Sequence, residues 1–274
     1  MMFLTRKIIF SAAHVCRNPD WSDDQNRYVY GHCAVGTGHG HDYICEATVK
    51  GSINSSTGVV VNLVEVKQLL RTVITPLDMT HLNDNGDLFQ GQEPTTERLT
   101  RALWHRLVPM LTQCELARLN IYESRTRSIE YIGDDTMIYV TRRVEFNAAH
   151  RLHSQVLSDE ENARIFGKCN NPNGHGHNYE LEVTVCGTLD KRTGMVIDMG
   201  LLDGLIQREV VDRYDHKNLN MDLEEFREVN PTSEEFARVI WNRLSPHFTQ
   251  PTLYKIRLIE TSNNSFEYYG EQEL

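Results

Sequence analysis

Gly174-His175-Gly176-His177-Asn178-Tyr179-Glu180-Leu181-Glu182-Val183-Thr184-Val185 decides how this chain reads. From Tyr179 onward apolar and polar residues alternate strictly, the period of a half-buried strand. Residues two apart on a strand project to one side, so His175 and His177 can face a single ion. The stretch has an answer 136 residues earlier, Gly38-His39-Gly40-His41, followed by a less cleanly alternating run from Tyr43 to Gly51. Gly40 and Gly176 are expected to keep the space between the paired imidazoles empty.

The repetition extends well beyond the histidines. Phe10-Ser11-Ala12-Ala13-His14 returns as Phe146-Asn147-Ala148-Ala149-His150 at the same offset. After one inserted residue the offset is 137: Pro94-Thr95-Thr96-Glu97 answers Pro231-Thr232-Ser233-Glu234, Trp104 answers Trp241, and Glu123 answers Glu260. A repeat this long marks a duplicated domain, since solenoid periods run roughly 20–50 residues. The length of 274 residues also suits about two domains. They divide as 1–136 and 137–274, and the join near Asp134-Asp135-Thr136 is too short for a flexible linker, which predicts tightly docked halves.

Within the first repeat a strand from Thr5 to Ala13 enters His14, and Arg17 to Tyr30 reads as a polar loop. Asn62 to Ile74 places Leu63, Val66, Leu70, Val73 and Ile74 on one helical stripe. A second helix follows Pro94 with Leu99, Leu103, Leu107 and Met110 on one face; in the second repeat Thr232 and Glu235 read as its capping box. Two strands close the repeat, about Leu116 to Tyr122 and Ser128 to Gly133. The order is ββααββ, an antiparallel sheet with two helices on one face, and the class is α+β. Open sheet edges need pairing or cover, which predicts a homo-oligomer.

A net charge of −10 without Lys/Arg clusters argues against a nucleic-acid partner, though local fields still permit an anionic small substrate. No apolar run approaches the roughly 20 residues that span a bilayer, so no membrane partner is expected. Ile8 to Val15 reads as a strand and not a signal peptide. Six cysteines without a CxxC or disulfide-like spacing suit a reduced cytoplasmic protein.

An HxH pair alone is usually ordinary surface or core histidine. Here His14 joins His39 and His41, and His150 joins His175 and His177, in register twice. Three neutral imidazoles with a vacant fourth position make a catalytic Zn²⁺ arrangement. Cys33 and Cys169 precede each pair by six residues and read as thiolate bases or nucleophiles activated by the metal, or else as small buried residues. Asp215-His216 sets a carboxylate beside an imidazole suited to moving protons. Glu123 and Glu260 follow an apolar strand, where a carboxylate can accept the N–H and NH₂ edge of a heterocycle.

Together, Phe146 to His150, Phe166-Gly167-Lys168-Cys169-Asn170-Asn171-Pro172-Asn173-Gly174-His175-Gly176-His177, Asp215-His216-Lys217-Asn218-Leu219 and Glu260-Thr261 resemble the successive motifs of the 6-pyruvoyl-tetrahydropterin synthase family. The resemblance covers essentially all of 139–274 and, more loosely, 1–136. It implies tunnelling-fold domains whose sheets join into an oligomeric β-barrel with helices outside. It also implies a zinc lyase converting 7,8-dihydroneopterin triphosphate to 6-pyruvoyl-tetrahydropterin. By the same resemblance His150, His175 and His177 hold the zinc, Cys169 removes a proton, Asp215 and His216 complete the relay, and Glu260 anchors the pterin. Thr232, and its answer Thr95, join Glu260 and Glu123 as substrate-binding candidates.

The first repeat keeps His14, His39, His41, Cys33 and Asp78, but Met79 stands opposite His216 and Arg125 and Arg127 follow Glu123. His81 replaces the missing histidine only if its loop bends differently. This half is expected to bind metal and to be weak or altered in catalysis. A relay in which Asp215 and His216 serve the cysteine of a neighbouring domain is open. So are two other functions: a 6-carboxytetrahydropterin synthase of queuosine biosynthesis that releases acetaldehyde, and a zinc-containing pterin-binding protein. The five-residue gap between each cysteine and its HGH is closer to the pyruvoyl enzyme.

Overall fold

Two long strands, β1 (Met2–His14) and β2 (His39–Gly51), pair antiparallel so that His14 opposes His39, Ala12 opposes His41 and Phe10 opposes Tyr43. Directly opposed residues share a sheet face. The alternation therefore carries three imidazoles onto the side that also buries Phe10, Tyr43, Cys45 and Ala47. Phe10 stacks on Tyr43 at 5.1 Å beneath them. Gly40 lies on the opposite face, where an added Cβ would meet Ala12 O at 3.4 Å. It relieves the partner strand and does not clear room between the imidazoles.

The computed structural model describes residues 1–271. Between β1 and β2 the expected loop is in part a helix, α1 (Asp23–Tyr30), started by a reciprocal capping box between Ser22 and Gln25. Next come α2 (Leu63–Ile74), β3 (Thr80–His81), α3 (Gly86–Phe89) and α4 (Thr96–Leu107). Helix α2 buries Val66, Leu70, Val73 and Ile74 while Leu63 is exposed at its start; α4 buries Leu99, Leu103 and Leu107. Met110 falls in the 3₁₀ turn beyond α4. Strands β4 (Glu115–Tyr122) and β5 (Arg127–Tyr131) complete the order β5-β4-β2-β1-β3.

The second repeat rebuilds this plan as β6 (Ile138–His150), α5 (Asp159–Phe166), β7 (His175–Gly187), α6 (Met199–Ile206), α7 (Asp212–Tyr214), β8 (Lys217–Asn218), α8 (Leu219–Asp222), α9 (Ser233–Leu244), β9 (Thr252–Thr261) and β10 (Asn264–Tyr268). Its strands run β10-β9-β7-β6, with β8 beside β6. Neither repeat closes its strands into a barrel. Thr232 caps α9 by accepting from Glu235 N, but the Glu235 carboxylate pairs with Arg238, so the expected reciprocal box is only half made.

Compactness does not follow the repeats in full. One unit comprises Met1–Thr141 with Cys186–Gly200, the other Arg142–Val185 with residues from Leu201 on. In the first unit the turn Asp190–Val196 lies over the start of α4. Thr95 Oγ1 donates to Gly194 O at 2.6 Å, Arg98 Nη2 to Lys191 O at 2.8 Å, and Tyr30 OH to Thr193 O at 3.1 Å. Met195 packs into a cluster with Cys16, Tyr30 and Ala34. Gly194 has φ +72° and an added Cβ would meet the Arg98 guanidinium at 2.6 Å, so only glycine fits. The counterpart turn at Asn54–Val59 has the same pair of backbone hydrogen bonds and the same φ at Gly58, with nothing within 4 Å of a Cβ there.

Candidate active site

In the second repeat His150 Nδ1 lies 2.8 Å from Pro231 O. A carbonyl only accepts, so Nδ1 carries the proton and Nε2 presents its lone pair. That Nε2 is 3.2 Å from His175 Nε2, and the His177 ring centroid is 5.2 Å from that of His150. The three ligand atoms lie within 4.8 Å of one another. His177 Nε2 is buried and, among the described residues, has no hydrogen-bond partner. Buried nitrogens are rarely left so, and converging lone pairs at this spacing fit a divalent cation about 2.0–2.1 Å from each nitrogen. Burial lowers the pKa of His150 and of His177, which favours the neutral, ligating form. Pro231 acts as the outer partner that fixes the His150 tautomer.

The first repeat keeps the His14–His39 pair but gathers a cysteine with it. His14 Nδ1 is 2.9 Å from Pro94 O, and His14 Nε2 is 3.2 Å from His39 Nε2. The ligand atoms that lie within 4.8 Å of one another here are those of His14, His39 and Cys33. His41 stands beside them, its ring 4.7 Å from that of His39 and its buried Nε2 4.0 Å from Glu123, without a hydrogen bond among the described residues. Burial lowers the His14 pKa to about 4. Cys33 Sγ approaches His39 Nε2 at 3.9 Å, and burial pushes its thiol up. Cys169 holds the matching backbone position, its carbonyl accepting from Leu152 N as Cys33 O accepts from Cys16 N, each at 2.9 Å.

The carboxylates differ more. Glu260 accepts from Ser233 Oγ at 2.7 Å and Asn264 Nδ2 at 3.3 Å, and lies 3.7 Å from His177 Nε2. Burial pushes its carboxyl up, but Ser233, Asn264 and the histidines outweigh it and the net pKa is lowered. Glu123 is buried, accepts from Thr96 Oγ1, and forms an ion pair with Arg127 at 3.2 Å. Arg127 Nη2 also reaches Glu97 at 3.1 Å. Burial raises the Glu97 pKa despite that cation. Arg125 is exposed, so only one of the two cations in this hairpin turns inward.

Thr95 and Thr232 are helix caps, and the residues beside them, Thr96 and Ser233, meet the carboxylates. Sequence reasoning missed that pair by one position; a cap must aim at backbone N–H groups, so its neighbour is the residue free to turn toward the strand.

Asp215 Oδ1 accepts from Asn147 N at 2.8 Å and its Oδ2 lies 2.8 Å from His216 Nδ1. The Asn147 hydrogen bond is the main cause that lowers the Asp215 pKa. The His216 side chain is 78% exposed at the edge of β6 and, among the described residues, pairs with Asp215 alone. Asp78 repeats this bond to Ser11 N at 2.9 Å, with Met79 in the His216 position. His81 instead lies in β3, its Nε2 3.1 Å from Thr37 O. The loop does not bend to bring it into the place of His216.

The family model for 6-pyruvoyl tetrahydropterin synthase matches residues 3–134 and again 139–271. Human 6-pyruvoyl tetrahydrobiopterin synthase is 48% identical over 144 residues, covering 53% of this chain and 99% of that protein. The 6-carboxy-5,6,7,8-tetrahydropterin synthase of Rickettsia conorii is 30% identical over 145 residues, covering 46% of this chain and 96% of that protein. Among solved structures, the Caenorhabditis elegans 6-pyruvoyl tetrahydropterin synthase is similar at 43% identity and TM-score 0.48 over 49% of this chain and 96% of its own. Uricase from Arthrobacter globiformis matches 100% of this chain and 91% of its own at TM-score 0.50 and 8% identity, a likeness of fold alone.

Proposed function

We propose, because the chain belongs to the 6-pyruvoyl tetrahydropterin synthase family, that it is a lyase whose second-repeat residues convert 7,8-dihydroneopterin triphosphate to 6-pyruvoyl-tetrahydropterin with loss of triphosphate. The observation that carries this reading is Glu260. Its carboxylate is oriented by two neutral donors beside the histidine trio, and among the described residues no Lys or Arg pairs with it. It is therefore available to accept the N–H and NH₂ edge of a pterin ring.

His150, His175 and His177 are the residues that would hold a divalent cation, zinc in this reading, which when bound supplies Lewis-acid polarisation of the substrate's oxygens. Cys169, as thiolate, takes the carbon-bound proton. Asp215 accepts from His216 Nδ1–H and so leaves the far ring nitrogen to pass a proton on. Because His216 is exposed at a sheet edge, the pair is read as serving a cysteine carried by another domain or another copy of the chain. A protein of net charge −10 needs a local positive wall for a triphosphate. Arg151 and Arg227 line a cleft of about 590 Å³ beside Gly174 and Pro231, which Glu228 also lines, and are its cations.

The same reading makes the assembly a homo-oligomer. The turn Asn54–Val59 has the shape of the one that covers the start of α4, yet Val59 is 50% exposed and Gly58 faces open space. Thr232, which answers the buried Thr95, is only half-buried, and Glu234, which answers the buried Glu97, is exposed. A second copy delivering its Asn54–Val59 turn to α9 would satisfy both. No helix of the described residues is long and apolar enough to cross a membrane. A cytoplasmic setting rests on the six free cysteines.

Incubating the zinc-loaded protein with 7,8-dihydroneopterin triphosphate tests the proposal by mass spectrometry. The expected products are triphosphate and 6-pyruvoyl-tetrahydropterin. Acetaldehyde with a 6-carboxy product would assign the carboxy reaction instead, and pterin binding without triphosphate release would make the chain a binding protein.

A further inference from the structure

Glu123 and Glu260 stand at the same point of the repeat, but a cation, Arg127, faces the first where a neutral amide, Asn264, faces the second. Arg127 Nη1 lies 3.2 Å from each oxygen of Glu123, whose Oε2 also accepts from Thr96. Arg127 Nη2 spans Glu97 at 3.1 and 3.3 Å. Glu97 is fully buried and accepts the backbone N–H of Val196, part of the turn that covers α4. The second repeat puts Asn264 where Arg127 is and leaves Glu234, the answer to Glu97, exposed.

A guanidinium presents planar N–H donors to a carboxylate, as does the aminopyrimidinone edge of a pterin, with a full charge added. Both carboxylates accept from a hydroxyl, but Asn264 reaches one oxygen of Glu260 whereas the Arg127 cation lies 3.2 Å from both oxygens of Glu123. For a pterin to take the Glu123 carboxylate, Arg127 would have to withdraw. That would strand Glu97 as an uncompensated charge in the interior, a strongly unfavourable change.

We propose that Arg127 is an internal surrogate ligand that fills the pterin seat of the first repeat, so that each chain takes a single pterin, at Glu260. The first repeat then keeps its histidines and excludes the substrate. This rests on the reading of Glu260 as the pterin carboxylate.

Calorimetric titration of the zinc-loaded full-length protein with 7,8-dihydroneopterin, which lacks the leaving triphosphate, tests it. Three proteins are compared: wild type, Glu260→Gln, and the double variant Arg127→Asn/Glu97→Gln, which removes the cation together with one carboxylate and keeps the local charge. The expected stoichiometries are one, none and two per chain. Saturable binding to Glu260→Gln, or two sites in wild type, would show that Glu123 accepts a pterin with Arg127 present and would overturn the inference. One site in a double variant that melts cooperatively with wild-type circular dichroism would overturn it as well. Should the double variant not fold, the Glu260→Gln result decides alone. Wild type binding no pterin would defeat the lyase reading and this inference together, whereas the preceding outcomes defeat the inference only.

Discussion

Met79 and His216 hold the same left-handed backbone, φ +60° and +57°, and each sends its N–H 2.7 Å to a strand carbonyl, Ser11 O and Asn147 O. Such a conformation costs a non-glycine residue about 1–2 kcal/mol. In both repeats an aspartate just before it, Asp78 or Asp215, ties the turn to the strand. The scaffold is retained twice and presents an exposed side chain twice, but only the imidazole can exchange protons.

His216→Ala is therefore expected to lower kcat by roughly 10²- to 10⁴-fold while changing stability by no more than about 0.5 kcal/mol, because its ring is largely solvated. Met79→Ala should leave turnover unchanged. Steady-state kinetics with thermal melts on both variants would check this; a fully active His216→Ala enzyme removes the residue from the mechanism.

Metal content should follow the two ligand groups, His150, His175 and His177 in the second repeat and His14, His39 and Cys33 in the first. Elemental analysis is expected to find about two zinc ions per wild-type chain, and one fewer in His150→Ala. Exhaustive chelation should abolish turnover, and added zinc should restore it. Wild type that neither contains nor takes up zinc would remove both groups from the chemistry.

Val59 answers Met195, which is 7% exposed in its own cluster while Val59 is 50% exposed. If a second copy covers Val59, Val59→Asp places a charge in that contact and should dissociate the assembly and reduce activity. Light scattering after size exclusion gives the mass. An unchanged oligomer would exclude this turn from the interface.

Asp135 accepts from Arg101 at 2.6 and 2.8 Å and from Tyr131 OH at 2.7 Å. Chiefly through Arg101, its pKa falls from 3.8 to about 2. A depressed carboxyl stabilises the fold fully above its unfolded value and loses that contribution as pH falls through the folded one. The pair is about half exposed, so the effect is on the order of 1 kcal/mol or less. Asp135→Asn should accordingly melt below wild type at pH 7, and the gap should shrink as pH falls from 3.8 toward 2. A gap that stays constant across that range would show that the charge of Asp135 is not what stabilises.

The convergence of His150, His175 and His177 was legible because strand alternation fixes which side each imidazole faces, whereas the approach of Cys33 to His14 and His39 was not, since it comes from a turn with no period to read. The main strands and the two long helices were legible for the same reason of period. Helix α1 was not, since most of its residues face solvent and leave no apolar stripe. Its signal lay in Ser22 and Gln25, the capping pair, with Ser158 and Glu161 as their echo in α5. The inward turn of Arg127 was hidden because it depends on Glu97, thirty positions earlier and on another element. Cys186–Gly200 was hidden too, since a sequence repeat records ancestry and says nothing of which folded body a segment joins.

That last segment bears on any attempt to express the two halves separately. Cutting the gene after residue 136 would respect descent, yet the N-terminal fragment would lose the residues that shield Thr95, Tyr30 and Arg98 from water. The C-terminal fragment would carry the same residues with nothing to grip. A first body expressed on its own should therefore be given Cys186–Gly200 as well as the residues up to Thr141.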